Sequence, residues 1–165
     1  MTLTELLVSL AIAALLAVAA WPAIGTLIAE HHAGHTADRL AASLALARTT
    51  ASARRGEVRL GPIRGDARLH RGWQLTLMDN GGHDAPPFSV VALHDRCLQV
   101  TLRGAAGGAA TQSLRLTAVG YSRSERGGFL AATFEVRCHK AQRQVRLGAQ
   151  GRIRICRPGT DADCD

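Results

Sequence analysis

The residues best suited to chemistry lie near the C-terminus. Between Val136 and Thr160 stand Arg137, Lys140, Arg143, Arg146, Arg152, Arg154 and Arg157, with no acidic residue among them. This segment alone carries a charge equal to the +7 of the whole chain, because the other thirteen basic residues balance thirteen acidic ones. In Arg152-Ile153-Arg154-Ile155 the two-residue period of a strand puts both arginines on one face and both isoleucines on the other. Gln144-Val145-Arg146-Leu147 alternates in the same way, with Val145 and Leu147 inward. Ala149-Gln150-Gly151 is short enough for a hairpin turn, which sets Arg146 on the solvent face with Arg152 and Arg154. Residues two apart on a strand are roughly 6.6 Å apart, comparable to successive phosphates, and arginine suits bidentate contact with phosphate oxygens. Gly151 allows close backbone approach as well as the turn. Arg143 and Lys140 join the set on charge and position. The chemistry expected is sequence-independent contact with a phosphate backbone, weakening steeply with salt. The segment has no aromatic residue, which favours duplex contact over stacking on single strands. A solvated basic face, or a face docked on an acidic neighbour, is the competing reading.

Other constellations carry less. His31, His32 and His35 cluster, with His31 and His35 one helical turn apart, but only Glu30 stands beside them as a further ligand. A metal is not expected there, nor any cofactor. No Ser/His/Asp arrangement, phosphate loop or other catalytic set stands out, so the chain is not read as an enzyme. Cys97, Cys138, Cys156 and Cys164 form no Cys-x-x-Cys pair and lack zinc spacing. They are disulfide candidates if the segment after residue 28 is exported. Four cysteines allow three connectivities. Cys138 and Cys156 would lie about 10 Å apart across one intervening strand of a meander, too far for a bridge. Cys156 with Cys164 would clamp the tail, and Cys97 with Cys138 would then tie the sheets.

These residues must be positioned by the rest of the chain. At 165 residues it makes one domain plus a stalk. Aromatic content is 4%, so the core must come from Leu, Val, Ile and Ala. The pI near 10.5 favours polyanionic partners. Nineteen of the twenty basic residues are Arg, a skew that a high-GC genome also produces, so the distribution of charge says more than its total. From Leu6 to Ile28 there is no charge. That run spans roughly 35 Å as a helix, enough to cross a bilayer. A secretory signal would need a basic residue before the apolar run, and none precedes Glu30. An ordinary anchor leaves Glu5 unexplained, since a carboxylate at the edge of an apolar helix asks for a partner. Beyond the apolar run, Ala37, Leu40, Ala41, Leu44 and Ala47 recur at helical spacing, and the helix is expected to run to about Arg55 and stop at Gly56. Pro22 and Gly25 predict a bend or local unwinding in its first half.

After Gly56, short apolar runs alternate with Gly, Pro and Asn. They predict strands at 57–60, 73–78, 89–93, 98–102, 113–117, 129–138, 144–147 and 152–156. Asp79-Asn80-Gly81-Gly82 and Gly127-Gly128 signal turns, and residues 104–110 form a low-complexity loop.

The start Met1-Thr2-Leu3-Thr4-Glu5-Leu6-Leu7-Val8 resembles the processed N-terminus of type IV pilins and type II secretion pseudopilins. The match covers Thr2, Leu3, Glu5, Leu6, Leu7 and Val8, and Pro22 falls where such helices kink. The resemblance implies that Glu5 compensates a free N-terminal amine during assembly, an attraction that is strong in low dielectric. It also implies that a prepilin peptidase removes a leader ending in Gly and that the new N-terminus, here Met1, is N-methylated. Position 1 is Met rather than Phe, and the expectation is that a leader is missing from the sequence. Farther along, Asp38-Arg39-Leu40-Ala41-Ala42-Ser43-Leu44-Ala45-Leu46-Ala47-Arg48, Arg54-Arg55-Gly56-Glu57-Val58, Gly72-Trp73, Leu114-Arg115-Leu116, and the closing Gln144–Leu147 and Gly151–Cys156 strings resemble the GspH/FimT family of minor pilins and pseudopilins. The family's Gly-rich feature after Leu-Arg-Leu is replaced by Thr117-Ala118-Val119-Gly120.

This resemblance implies an α+β, type IV pilin-like fold: a long N-terminal helix and a head of two antiparallel β-sheets. Residues 1–28 are expected to be a transmembrane and assembly helix, 29–55 its continuation packed on the head, and 56–165 the β-rich head. Gly151-Arg152-Ile153-Arg154 matches the Gly-Arg-x-Arg motif of FimT-type minor pilins, which implicates Arg152 and Arg154 in DNA binding during natural transformation. The implied partners are DNA, other pilins in a filament, the inner membrane before assembly, and the peptidase. The implied location is the bacterial inner membrane with the head in the periplasm, then a pilus or pseudopilus at the cell surface. The alternative is a structural pseudopilin of type II secretion, or a pilus-initiation subunit, without DNA binding.

Overall fold

A computed structural model describes residues 2–79, 84–104, 112–124, 128–129, 131–148 and 150–164. Met1, most of the Asp79–Gly82 turn, Gly127, Ala149 and the low-complexity loop after Gly104 lie outside the described residues.

Alanine and leucine dominate the first third of the chain, and it forms one helix, α1, over Leu3–Arg54. The expected local unwinding is not seen: Pro22 and Gly25 lie inside an uninterrupted helix. Proline removes a single backbone donor, and strong helix formers on both sides carry the remaining bonds. The helix ends where expected. Arg55 takes a left-handed conformation, φ 49°, and the Gly56 N–H donates to the Ala51 carbonyl at 3.1 Å.

Burial along α1 begins at Ala29. The described side chains from Leu3 to Ile28 are all exposed, and that segment is long and apolar enough to cross a membrane. From there Ala29, Ala33, Ala37, Leu40, Leu44, Ala47 and Ala51 form one buried stripe at steps of three and four. Small residues predominate in it, so the sheets approach the helix closely. Ala41, expected in the stripe, is only partly buried.

Among the described residues nine strands follow: β1 Glu57–Pro62, β2 Gly72–Met78, β3 Asp84–Ala92, β4 Leu98–Gly104, β5 Leu114–Leu116, β6 Ser122–Arg123, β7 Ala132–Cys138, β8 Ala141–Leu147 and β9 Ile153–Cys156. They make two antiparallel sheets, ordered β3-β2-β1-β5-β6 and β4-β7-β8-β9. The expected fold class is therefore observed. Both sheets and the helical stripe share one core, in which Trp73 and Phe134 are the largest fully buried side chains. Boundaries shift for local reasons. β3 begins at Asp84 and includes Pro86 and Pro87, which an edge strand tolerates. Phe129 lies outside β7 and instead bridges Arg123. β6, two residues long, is too short to leave a periodic signal.

Cys97 pairs with Cys138 (Cα–Cα 4.8 Å) and Cys156 with Cys164 (Cα–Cα 5.7 Å). The first bridge does not tie the two sheets as expected. Cys97 immediately precedes β4 and Cys138 ends β7, its neighbour, so the bond staples adjacent strands of one sheet.

Trp73 shows how the helix is locked to the head. Its Nε1–H donates to Ser43 Oγ at 2.9 Å inside the core. Trp73→Phe should destabilise the head by about 1–2 kcal/mol, from the lost hydrogen bond and reduced packing. A urea titration checks this; an unchanged midpoint would show the bond to be dispensable.

Candidate functional site

The β8–β9 hairpin carries the basic segment. Its turn is closed by the Gly148 N–H donating to the Arg152 carbonyl at 2.9 Å, and the Gly151 N–H donating to the Gly148 carbonyl at 2.8 Å. Gly151 is buried, with φ +79°, and Arg48 Nη1 donates to its carbonyl at 3.0 Å. A Cβ at this position would lie 2.5 Å from the Gly120 carbonyl oxygen and 3.1 Å from the Arg48 guanidinium. The close approach expected at Gly151 is thus to the protein's own backbone, and this glycine is not open to a ligand.

Register then groups the arginines. Arg146 pairs directly with Arg154 across β8 and β9, and Thr133 of β7 pairs with Arg146 from the other side. Arg146, Arg152 and Arg154 line one cavity of about 430 Å³ with Thr133 and Ala162. Arg152 is exposed, while Arg146 and Arg154 are half-buried. Side chains of directly paired residues stand about 5 Å apart. One anion is therefore within reach of both guanidinium groups and can accept several charge-assisted hydrogen bonds from them.

Two residues expected in this set are elsewhere. Arg143 has the parity of Ala141, Val145 and Leu147, so it lies on the side of β8 that faces the helix. Its Nη2 reaches Glu30 Oε2 at 3.3 Å, its Nη1 donates to the Gln142 carbonyl, and its side chain is only 13% exposed. Arg157 Nη2 also reaches Glu30, at 3.3 Å. Lys140 sits in the β7–β8 turn and lines a separate cavity with Gly25, Thr26 and Ala29 of α1. Six strand positions separate it from Arg146, roughly 20 Å. A charge count over a segment cannot see that alternate residues of one strand face opposite ways. Glu30, the acid that holds two of the seven cations, is more than a hundred residues earlier and left no local signal.

The outer face of the four-stranded sheet also holds a group absent from the expected set. Glu135 is 4% exposed, with Arg103 Nη1 at 3.2 Å and Arg137 Nη2 at 3.4 Å on its two oxygens. An aromatic pair, Tyr121 and Phe129, with Arg123 over the Phe129 ring, lies on the edge of the five-stranded sheet instead.

At the other end of the molecule Glu5 is exposed in the first turn of α1, and Ser9 Oγ donates to its backbone carbonyl at 2.8 Å. His31 and His35 stack at 6.3 Å between centroids, while His32 Nδ1 lies 2.8 Å from Asp95 Oδ2.

The sequence matches the model of a family described as type II transport protein GspH, over residues 36–160. No sequence among curated proteins matches it at significance. The fold is similar to that of the type IV minor pilin FimU from Pseudomonas aeruginosa strain PAO1, at TM-score 0.60 and 19% identity, covering 76% of this chain and 89% of that one. A second crystal form of FimU gives TM-score 0.56 at 20% identity, with 74% and 91% covered. The minor pseudopilin EpsH from the type 2 secretion system of Vibrio cholerae gives TM-score 0.56 at 16% identity, with 77% and 98% covered.

Proposed function

The chain belongs to the type II transport protein GspH family, and from that premise we propose that it is a minor pilin of a type IV pilus that binds duplex DNA without sequence preference and supports DNA uptake in natural transformation. The family is one of minor pilins and pseudopilins of type IV pili or type II secretion, structural subunits and not enzymes. The observation that carries the finer reading is the cross-strand pair Arg146–Arg154, gathered with Arg152 around one cavity. Three guanidinium groups in one groove suit the regularly spaced phosphates of a duplex.

The remaining assignments follow from the same reading. Glu5 pairs with the free amine of a neighbouring or its own N-terminus during assembly, and the mature N-terminus, Met1, is methylated after a prepilin peptidase has acted. The helix through residue 28 sits in the inner membrane until the subunit joins other pilins. The head then faces the periplasm, and later the cell surface. A structural pseudopilin of type II secretion is the second reading. It is favoured by the Glu30 contacts to Arg143 and Arg157, which use two of the seven cations to brace the head on the helix.

The full chain in a neutral detergent should retard a short duplex of arbitrary sequence at low salt and release it as salt rises. No retardation at low salt would overturn the DNA reading in favour of the structural one.

A further inference from the structure

Resting on the DNA reading above, we propose that the phosphate path crosses all four strands of the β4-β7-β8-β9 sheet, with Arg103 on β4 as a phosphate ligand held in place by the buried carboxylate of Glu135. Arg103, Thr133, Arg146 and Arg154 are consecutive partners in register, one from each strand. They form a straight row across the outer face, and three inter-strand gaps make it about 14 Å long. Arg152, just before β9, lies beside the row and shares the cavity lined by Arg146 and Arg154. Duplex DNA carries about one charge per 1.7 Å of axis, so a row of this length faces several phosphates.

Glu135 supplies the second argument. It sits one strand position beyond the row on the same face, paired with Thr101 and Gln144, yet it is almost fully buried. Arg103 takes one of its oxygens and Arg137 the other, and Gln142 Nε2 donates to Oε1 at 3.4 Å. A buried carboxylate is a poor source of net stability. One carboxylate between two guanidinium groups does fix both, while leaving a net positive charge. The Arg103 side chain is 67% exposed and uses one of its nitrogens on Glu135, so the rest of its donor fork is open to solvent. Glu135 is a positioning residue in this scheme, and Arg103 is the contact. Arg103 lies far from the basic C-terminal segment in sequence, and only strand order brings the two together.

Fluorescence anisotropy with a short duplex, using the full chain in neutral detergent across a salt series, tests the row. Arg103→Ala should weaken binding about three- to tenfold at physiological salt and reduce the log–log salt slope by about one. Arg103→Lys should keep most of the affinity. Arg103→Gln retains a donor for Glu135 while removing the charge, so it should weaken DNA binding even where Arg103→Ala perturbs folding. If the Arg103 variants leave affinity and slope unchanged while Arg152→Ala plus Arg154→Ala lowers both, the extended path is wrong and the DNA reading stands. If neither set changes binding, DNA does not use this face, and both fail. An acidic protein partner on the row is the outcome if the unmodified chain binds no duplex at all, which also overturns the proposal.

Discussion

Replacing both Cys97 and Cys138 by Ser should destabilise the head by about 4 kcal/mol, the loop-closure value for the separation of 41 residues that the bridge spans. The bond closes the connection that contains β5 and β6, and these strands belong to the other sheet. β4 lies at the edge of its sheet, where β7 is its one paired neighbour among the described strands. Cys138 is also fully buried, so its serine replacement loses apolar contact. The thermal midpoint should fall by about 10–20 °C. The Cys156–Cys164 bridge spans only 8 residues, and its loss should cost about 2.5 kcal/mol. A midpoint loss for Cys156→Ser plus Cys164→Ser that equals or exceeds that of the first pair would contradict this ordering.

Gly151→Ala should be nearly as damaging, at about 3 kcal/mol. The left-handed φ of +79° contributes about 1 kcal/mol for a residue with a Cβ. The rest comes from overlap, since that Cβ would meet the Gly120 carbonyl at 2.5 Å, and backbone does not yield as a side chain does. Gly148→Ala, in the same turn, is the control. Its Cβ would meet the Arg152 carbonyl at 3.8 Å, an ordinary contact, so the change should stay below about 1 kcal/mol. Urea midpoints separate the two, and equal losses would show that the turn, not the Gly120–Arg48 contact, sets the requirement.

Gly151 also marks where reading the sequence succeeds and where it stops. Its place in a hairpin turn is legible from the alternating strings on either side. Its tight neighbour is not, because Gly120 and Arg48 are 31 and 103 residues away and nothing local links them. The helix, eight of the nine described strands and the shared strand face of Arg146 and Arg154 follow from periodicity, while Arg152 lies just before β9. Local pattern fails for Arg143, whose parity on a strand starting at Ala141 turns it toward Glu30. The expected strand began at Gln144, and that late start hid the alternation. It fails again for Arg103, which joins the basic face only through the order β4-β7-β8-β9. Antiparallel order is set by the packing of both sheets on one small-residue helix stripe, a global property that no window of residues contains.

In the proposed function the arginine face on β8 and β9 contacts the duplex backbone. The most direct measurement of that contact is the salt dependence of duplex affinity for the unmodified chain and for Arg152→Ala plus Arg154→Ala, side by side. The double variant should bind about 10–100-fold more weakly at low salt, with a log–log slope shallower by about two, one released counterion for each lost contact. Its thermal midpoint should stay within about 2 °C of the unmodified chain, because Arg152 is exposed and Arg154 lies on the edge strand β9, outside the core. An identical affinity and slope in the double variant, with the fold intact, would contradict the contact.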